Sequence, residues 1–203
     1  MTDAELLAEY ARRHEVALKP LAEGLARHLT DRLAGVKRID RVSARAKDPE
    51  RFLAKATKEA DGRRKYGDPF SQIQDQVAAR VTVFYLSDVE AVEATLRKYF
   101  NRIEEITVAE EPKKFGYEGR HLILAIPEEL FEEEEHPDAP DFFELQIKTL
   151  FQHAWSEAEH DLAYKPPTPL TDGQTREIAF TAAQAWGADQ MFAKLFKELG
   201  ENR

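Results

Sequence analysis

From Phe143 to Lys148, apolar and polar side chains alternate without a break (Phe-Glu-Leu-Gln-Ile-Lys). Successive side chains of a strand point to opposite faces. Phe143, Leu145 and Ile147 therefore share one side, and Glu144, Gln146 and Lys148 the other. Such a strand needs a sheet with a core on one face; its carboxylate, amide and ammonium then meet either water or a cleft. The helix expected next, residues 149–162, sharpens the choice. His153, Glu157, His160 and Tyr164 recur at i, i+4, i+7 and i+11, with Phe151, Trp155, Ala158 and Leu162 opposite. A titratable helix stripe following a polar strand face is placed to line the same cleft, with Trp155 and its neighbours burying the back. An ordinary amphipathic helix with its polar side in water carries the same pattern.

The remaining chain alternates helix and strand. Residues 2–34 have helical spacing of Leu7, Tyr10, Leu18, Leu21, Leu25, Leu29 and Leu33, and Gly35 fits a C-terminal cap. Residues 36–47 predict a strand with Lys37, Arg41, Ser43, Arg45 and Lys47 on one face. Asp48-Pro49 starts a helix that runs to about Ala60 and ends at Asp61-Gly62. The clearest strand is the β-branched run 77–86. Ser87 would cap a helix over 88–100, followed by strands at 103–109 and 120–126. Between those strands lies a loop, 112–119, with two glycines, and residues 132–140 form an acidic turn. Pro166-Pro167-Thr168-Pro169 is a stiff break, after which Thr171 caps a last helix to about Leu199. The expected architecture is α/β (α+β): a mixed sheet of about five strands flanked by helices. An N-terminal helical segment (1–35) and a C-terminal helical extension (166–203) would pack on a core of residues 36–165, one domain overall. The stripe Phe192, Leu195, Phe196, Leu199 suits core packing, a contact with a second copy, or an antitoxin partner.

Composition removes several chemistries. With no cysteine among 203 residues there are no disulfides, thiolate metal sites or Cys nucleophiles. No run approaches the ~18–20 apolar residues of a membrane span. Met1-Thr2-Asp3-Ala4-Glu5 lacks the basic and apolar regions of a secretion signal, so a cytoplasmic location is expected. Net charge is −9, which opposes broad nucleic-acid binding. The charge is uneven, however. Residues 12–65 hold 16 Lys and Arg against 8 Asp and Glu, whereas the rest holds 13 against 30. A basic third in an acidic chain suits a local anion site or a solvated helix surface. The chain has no P-loop, G-x-G-x-x-G, H-E-x-x-H, EF-hand or G-x-S-x-G motif. His160-Asp161 lacks the further ligands of a His-Asp phosphohydrolase.

What remains is a kit for phosphoryl transfer. Asp75, just before a strand, can hold Mg²⁺ through oxygen. Arg80, inside a β-branched run, needs a partner if buried, and phosphate suits it. Arg45 and Lys47 emerge together from one strand, and Lys55 and Lys58 lie one helical turn apart. Two carboxylates with several cations provide metal oxygens and groups to offset developing charge. Tyr117, in a glycine-flanked loop, could stack a base.

Four motifs, in order, carry a resemblance. They are Arg45-Ala-Lys47 with Pro49-Glu50 and Lys55; Asp75-Gln-Val-Ala-Ala-Arg80; Lys113 with Gly116-Tyr117-Glu-Gly-Arg-His121; and Glu144-Leu-Gln146-Ile-Lys-Thr149 followed by His153, Glu159-His160 and Tyr164-Lys165. Over roughly residues 36–165 the chain resembles the synthetase domain of RelA/SpoT-type enzymes, in the stand-alone form called small alarmone synthetases. The resemblance implies a nucleotidyltransferase-like synthetase fold. It implies a pyrophosphokinase that moves the β,γ-diphosphate of ATP to the ribose 3′-hydroxyl of GDP or GTP, giving (p)ppGpp and AMP. By motif position, Arg45, Lys47, Lys55, Lys58 and Arg80 would grip ATP. Asp75 and Glu144 would be the catalytic acids and hold Mg²⁺, with Glu144 placed to take the hydroxyl proton. Lys113, Tyr117, His121, Gln146 and His153 would bind the acceptor, Tyr117 by stacking. The sequence departs from the family pattern at Ala78 (usually Gly), Gly119 (usually Ser), Lys148 (usually Arg), and Asp48 and Arg51 (usually Ser). Gly119 puts acceptor identity in question. Two alternatives stand. One is a toxic relative that pyrophosphorylates the tRNA 3′-CCA end or an adenosine nucleotide, its RNA contact made by Arg12-Arg13, Lys37-Arg38 and Arg63-Arg64-Lys65. The other is a degenerate, non-catalytic module that binds a nucleotide or a partner.

Overall fold

The computed structural model describes residues 1–106, 117, 119–131, 137–163 and 168–200. Lys113, the rest of the 107–116 segment, residue 118, part of the acidic turn (132–136) and residues 164–167, with Tyr164 and Lys165, lie outside the described residues.

Five strands form one mixed sheet: β1 (Ile39–Ala46), β4 (Val77–Val83), β5 (Arg102–Ile106), β6 (Arg120–Ala125) and β7 (Phe142–Thr149). Their spatial order is β1-β4-β7-β6-β5. The central pair β4/β7 is parallel, and its flanking pairs are antiparallel. Register decides which side chains meet. Arg45, Ala78, Glu144 and Ile123 form one cross-strand row, and Ser43, Arg80, Gln146 and His121 the next. Residues in register share a face, so a polar row crosses four strands.

The opposite face is apolar. Val77, Ala79, Val81, Val83, Leu122, Leu124, Phe143, Leu145 and Ile147 are buried there. They belong to one core with Leu21, Leu25 and Leu29 of α2 (Lys19–Arg32) and Val89, Val92 and Leu96 of α5 (Leu86–Leu96). Each such leucine contributes roughly 2 kcal/mol by leaving water. α1 (Asp3–Arg13) adds Tyr10, whose ring stacks on Phe52 of α3 (Pro49–Ala56) at 3.7 Å. The expected single helix over 2–34 is interrupted: His14–Leu18 form a π-helical turn. Pro20 follows it near the start of α2; lacking an amide hydrogen, it leaves the regular helical ladder short there.

Two boundaries differ for local reasons. α3 ends at Ala56, and Asp61-Gly62 turns a small hairpin between β2 (Glu59–Ala60) and β3 (Arg63–Arg64), after which the short helix α4 (Pro69–Gln72) leads to β4. Both turn residues have positive φ (53° and 74°), the conformation a two-residue hairpin turn demands. α5 starts one residue before Ser87, and Asp88 accepts from the Tyr85 amide at 3.2 Å. Asp88 is buried and also takes the Arg38 guanidinium at 2.6 Å, which ties the entry of β1 to α5.

On the polar side of the sheet, α6 (Leu150–Ala163) follows β7 directly and packs on β7 and β4. The last helix, α7 (Asp172–Gly200), begins at Thr171 as expected; Thr171 and Gln174 cap each other's amides. α7 packs against α6 and α5. Phe192 stacks on Phe151 at 5.7 Å, and Phe196 stacks on Tyr85 at 4.5 Å. No described helix is long and apolar enough to cross a membrane.

Candidate active site

A cleft of about 710 Å³ opens at one end of the polar sheet face. Its lining includes Arg45, Lys47, Lys55 and Lys58, together with Asp75, Glu144 and Gln146. The local chain explains this gathering. β1 runs out at Ala46, and Lys47 is held by its amide to the Gln76 carbonyl at 2.8 Å. The N-cap Asp48 then turns the chain into α3, so Lys55 and Lys58 return over the same opening. Asp75 sits just before β4, and Glu144 near the start of the parallel neighbour β7. The two acids, 69 residues apart in the chain, thus reach one wall.

Asp75 is flanked by cations: Lys47 Nζ lies 2.5 Å from one oxygen and Lys55 Nζ 3.0 Å from the other. Burial pushes its carboxyl pKa up, but the two ammonium groups outweigh burial and hold it below the ordinary value. Glu144 is also held low. Burial opposes ionisation, while His121 (Nδ1 at 2.9 Å) and the Gln146 amide (3.0 Å) favour it; nearby Asp75 pushes the other way. Both acids are therefore carboxylates at neutral pH. Arg45 and Lys58 carry side chains without a hydrogen bond or ion pair among the described residues, so two cations of the cleft stand ready for an anion.

A smaller recess of about 230 Å³ continues along the sheet, lined by Ser43, Arg45, Arg80, Gln146 and Glu157. Arg80 is held there on three sides. Its Nε and Nη2 donate to Gln146 Oε1 at 3.2 and 3.1 Å, and its Nη1 reaches Glu157 at 2.6 Å and His153 Nδ1 at 3.1 Å. The expected shared cleft of strand face and helix stripe is present: His153 and Glu157 meet Arg80, and His160 lines the main opening. The helix back is less covered than expected. Ala158 and Leu162 are exposed, whereas Phe151 and Trp155 are half-buried.

The residues expected on the acceptor divide differently. His121 contacts Glu144; Gln146 spans Glu144 and Arg80; His153 rests on Arg80. Tyr117 is buried, outside the cleft lining, and donates its hydroxyl to Asp189 of α7 at 2.7 Å. Sequence reasoning gave no role to Arg51, which lines the cleft, or to Asp189. Arg51 had a signal, its place one turn before Lys55; Asp189 had none, being an acid on an amphipathic helix.

The basic residues considered for RNA are largely paired within the chain. Arg12 binds Glu9 and Asp138, Arg13 binds Glu9 and lies over Phe70, Arg38 binds Asp88, and Arg64 binds Asp3. Gly119 has a packing reason. A Cβ there would come within 2.3 Å of the Ile147 carbonyl oxygen and 2.5 Å of Lys148 Cγ. Lys148, itself buried, crosses Gly119 to donate to Ser156 at 3.0 Å, so two departures from the family pattern touch one another.

The family model for the region found in RelA / SpoT proteins matches residues 44–168. GTP pyrophosphokinase YjbM of Bacillus subtilis (strain 168) is 30% identical over 132 residues, 63% of this chain and 57% of that protein. GTP pyrophosphokinase YwaC of the same organism is 28% identical over 129 residues, 63% of this chain and 60% of that protein. These matches thus span less than two thirds of either relative. Among solved structures, the small alarmone synthetase 1 of Bacillus subtilis bound to its product pppGpp superposes with a TM-score of 0.72. It is 23% identical, covering 92% of this chain and 97% of that one, a likeness of fold.

Proposed function

The chain belongs to the family defined by the region found in RelA / SpoT proteins, and on that premise we propose that it is a pyrophosphokinase making (p)ppGpp. It would transfer the β,γ-diphosphate of ATP to the 3′-hydroxyl of GDP or GTP. The observation that carries this reading is one wall shared by two carboxylates, Asp75 and Glu144, beneath a cradle of lysines and arginines. The pppGpp in the related synthetase and the pyrophosphokinase activity of the named relatives point to the same substrates.

In this reading Arg45, Lys47, Lys55, Lys58 and Arg80 hold the phosphates and base of ATP. The acceptor's 3′-oxygen attacks the β-phosphorus, the bond from that phosphorus to the α–β bridging oxygen breaks, and AMP leaves. The hydroxyl proton passes to Glu144, whose carboxylate form is already favoured by His121 and Gln146. Gln146 keeps Glu144 and Arg80 in fixed relation while the acceptor docks on the His121 side. Lys113, Tyr117 and His153 complete the acceptor-side assignment.

Asp75 and Glu144 suit a divalent ion. They are hard oxygen donors in one cleft, and Asp75 already draws two ammonium groups. Mg²⁺ takes one or two carboxylates and completes its shell with phosphate and water, and the two acids of this cleft supply that number. Bound there, Mg²⁺ would offset charge on the diphosphate.

The test is ATP labelled in its terminal phosphate, with Mg²⁺, against GDP, GTP, ATP and deacylated tRNA separately. The expected result is AMP in step with a labelled guanosine nucleotide. Label on tRNA or on an adenosine nucleotide alone overturns the acceptor; no AMP with any acceptor overturns the enzyme in favour of a binding module.

A further inference from the structure

Asp189 is 1% exposed, lies on α7 outside the matched family region, and takes no part in the chemistry above. One of its oxygens, Oδ2, accepts from both the Tyr117 hydroxyl (2.7 Å) and the Thr149 hydroxyl (2.5 Å). Its other oxygen, Oδ1, is buried with no hydrogen-bond partner among the described residues. Burying a carboxylate with one oxygen unsatisfied is costly, so the contact holds against a standing penalty. The raised pKa of the group, caused first by burial, reports the same penalty.

The residue that Asp189 holds is the ring assigned to the acceptor base. Stacking needs an open aromatic face. Tyr117 is only 8% exposed and borders neither the main cleft nor its side recess, so in this conformation no face is open. The rest of α7 is anchored independently of Asp189: Phe192 sits on Phe151, and Phe196 touches both Tyr85 and Arg38. Tyr117 can thus leave Asp189 while α7 stays docked.

We infer that Asp189 is the catch of a latch: it withholds Tyr117 from the acceptor, and an acceptor nucleotide binds only as the Tyr117–Asp189 bond opens. The inference rests on the reading of Tyr117 as the ring that stacks the acceptor base. A hydrogen bond to a charged group is worth enough to shift an equilibrium by about tenfold. The acceptor therefore binds more weakly by about that factor than to a chain with the latch removed.

Two variants open the latch differently. Tyr117→Phe keeps the stacking ring and removes the donated bond; Asp189→Leu replaces the acceptor with an apolar side chain of similar size. Both are expected to lower the KM for the acceptor about fivefold to tenfold and leave the KM for ATP unchanged. A role in packing alone would change the folded fraction and the apparent kcat without this split. An acceptor KM unchanged or raised in Tyr117→Phe overturns the latch. A second measurement does not depend on activity: nitration by tetranitromethane, located by peptide mass. In the wild-type chain Tyr117 should resist like the fully buried Tyr10, while Tyr99, 46% exposed, reacts. In Asp189→Leu, Tyr117 should react. Nitration of Tyr117 in the wild type at the rate of Tyr99, or protection retained in the variant, sinks the latch whatever the enzyme proves to be. The expected nitration pattern in a chain that makes no AMP would overturn the proposed function and leave the latch standing.

Discussion

The carboxamide of Gln146 donates to Glu144 at 3.0 Å and so fixes which way the amide points. Its oxygen must then face Arg80, which gives it two bonds. One side chain thereby sets the distance between the group assigned to the proton and a group assigned to ATP. Replacing Gln146 by Leu removes both links and leaves Arg80 to Glu157 and His153. The expected result is a fold unchanged by circular dichroism and a kcat lower by tenfold to a hundredfold, about 1–3 kcal/mol of lost stabilisation. Turnover equal to wild type would show that the orientation of Glu144 does not depend on this amide.

Asp75 holds Lys47 and Lys55 together, and all three side chains are partly buried. Asp75→Asn leaves two like charges around a neutral group. Breaking a partly buried pair by removing one partner costs about 1–3 kcal/mol here, below the loss expected for full burial. Urea denaturation of the protein without nucleotide should show that loss, and AMP formation should vanish. Chelation of divalent ions should likewise stop AMP formation by the unaltered protein and leave its urea midpoint where it was.

Gly119→Ala tests the packing of the acceptor-side strand. The new Cβ would overlap the Ile147 backbone oxygen, which has no flexible side chain to move aside. Overpacking of this kind costs about 1–3 kcal/mol. Adding Lys148→Ala removes only the Cγ contact, so the double variant should remain destabilised against Lys148→Ala alone. Full recovery in the double variant would place the conflict in the lysine rather than in the backbone.

The sheet was legible where a strand carried its own periodicity. Residues 143–148 of Phe142–Thr149 alternate, Val77–Val83 is rich in β-branched residues, and both strands stand within a residue or three of the expected bounds. The hairpin at Asp61-Gly62 was not legible, because strands of two residues have no period to detect. Alternation placed Arg45 with Lys47, and Glu144 with Gln146, each on one side of its own strand; the register through β4 is what joins those two sides. Nothing local, however, brought Asp75 to Glu144; only the order of the motifs joined them, through a parallel pairing that spans the middle of the chain. Tyr117 shows the opposite limit. Its motif points to a ligand, while its partner lies 72 residues away on a helix that the motif does not cover.

His28 of α2 provides a test by pH. Its ring packs edge-on against Phe100 at 5.6 Å, and Arg32 Nε approaches its Nε2 at 3.3 Å. Burial, and then the positive charge of Arg32, hold its pKa below the ordinary 6.5. The unfolded chain therefore takes up the proton first as pH falls. The stability tied to neutral His28 is complete above about pH 6.5 and is lost as the solution is acidified toward the lower folded value. His153, also lowered by burial and by Arg80, adds a slope of the same sign. His28→Gln keeps an acceptor for Arg32 but does not titrate. Urea midpoints measured from about pH 7.5 to about pH 5.5 should fall in both proteins, and less steeply in the variant. Equal slopes would mean that His28 is protonated as readily in the folded chain as in the unfolded one, and that its seat between Phe100 and Arg32 is open to water.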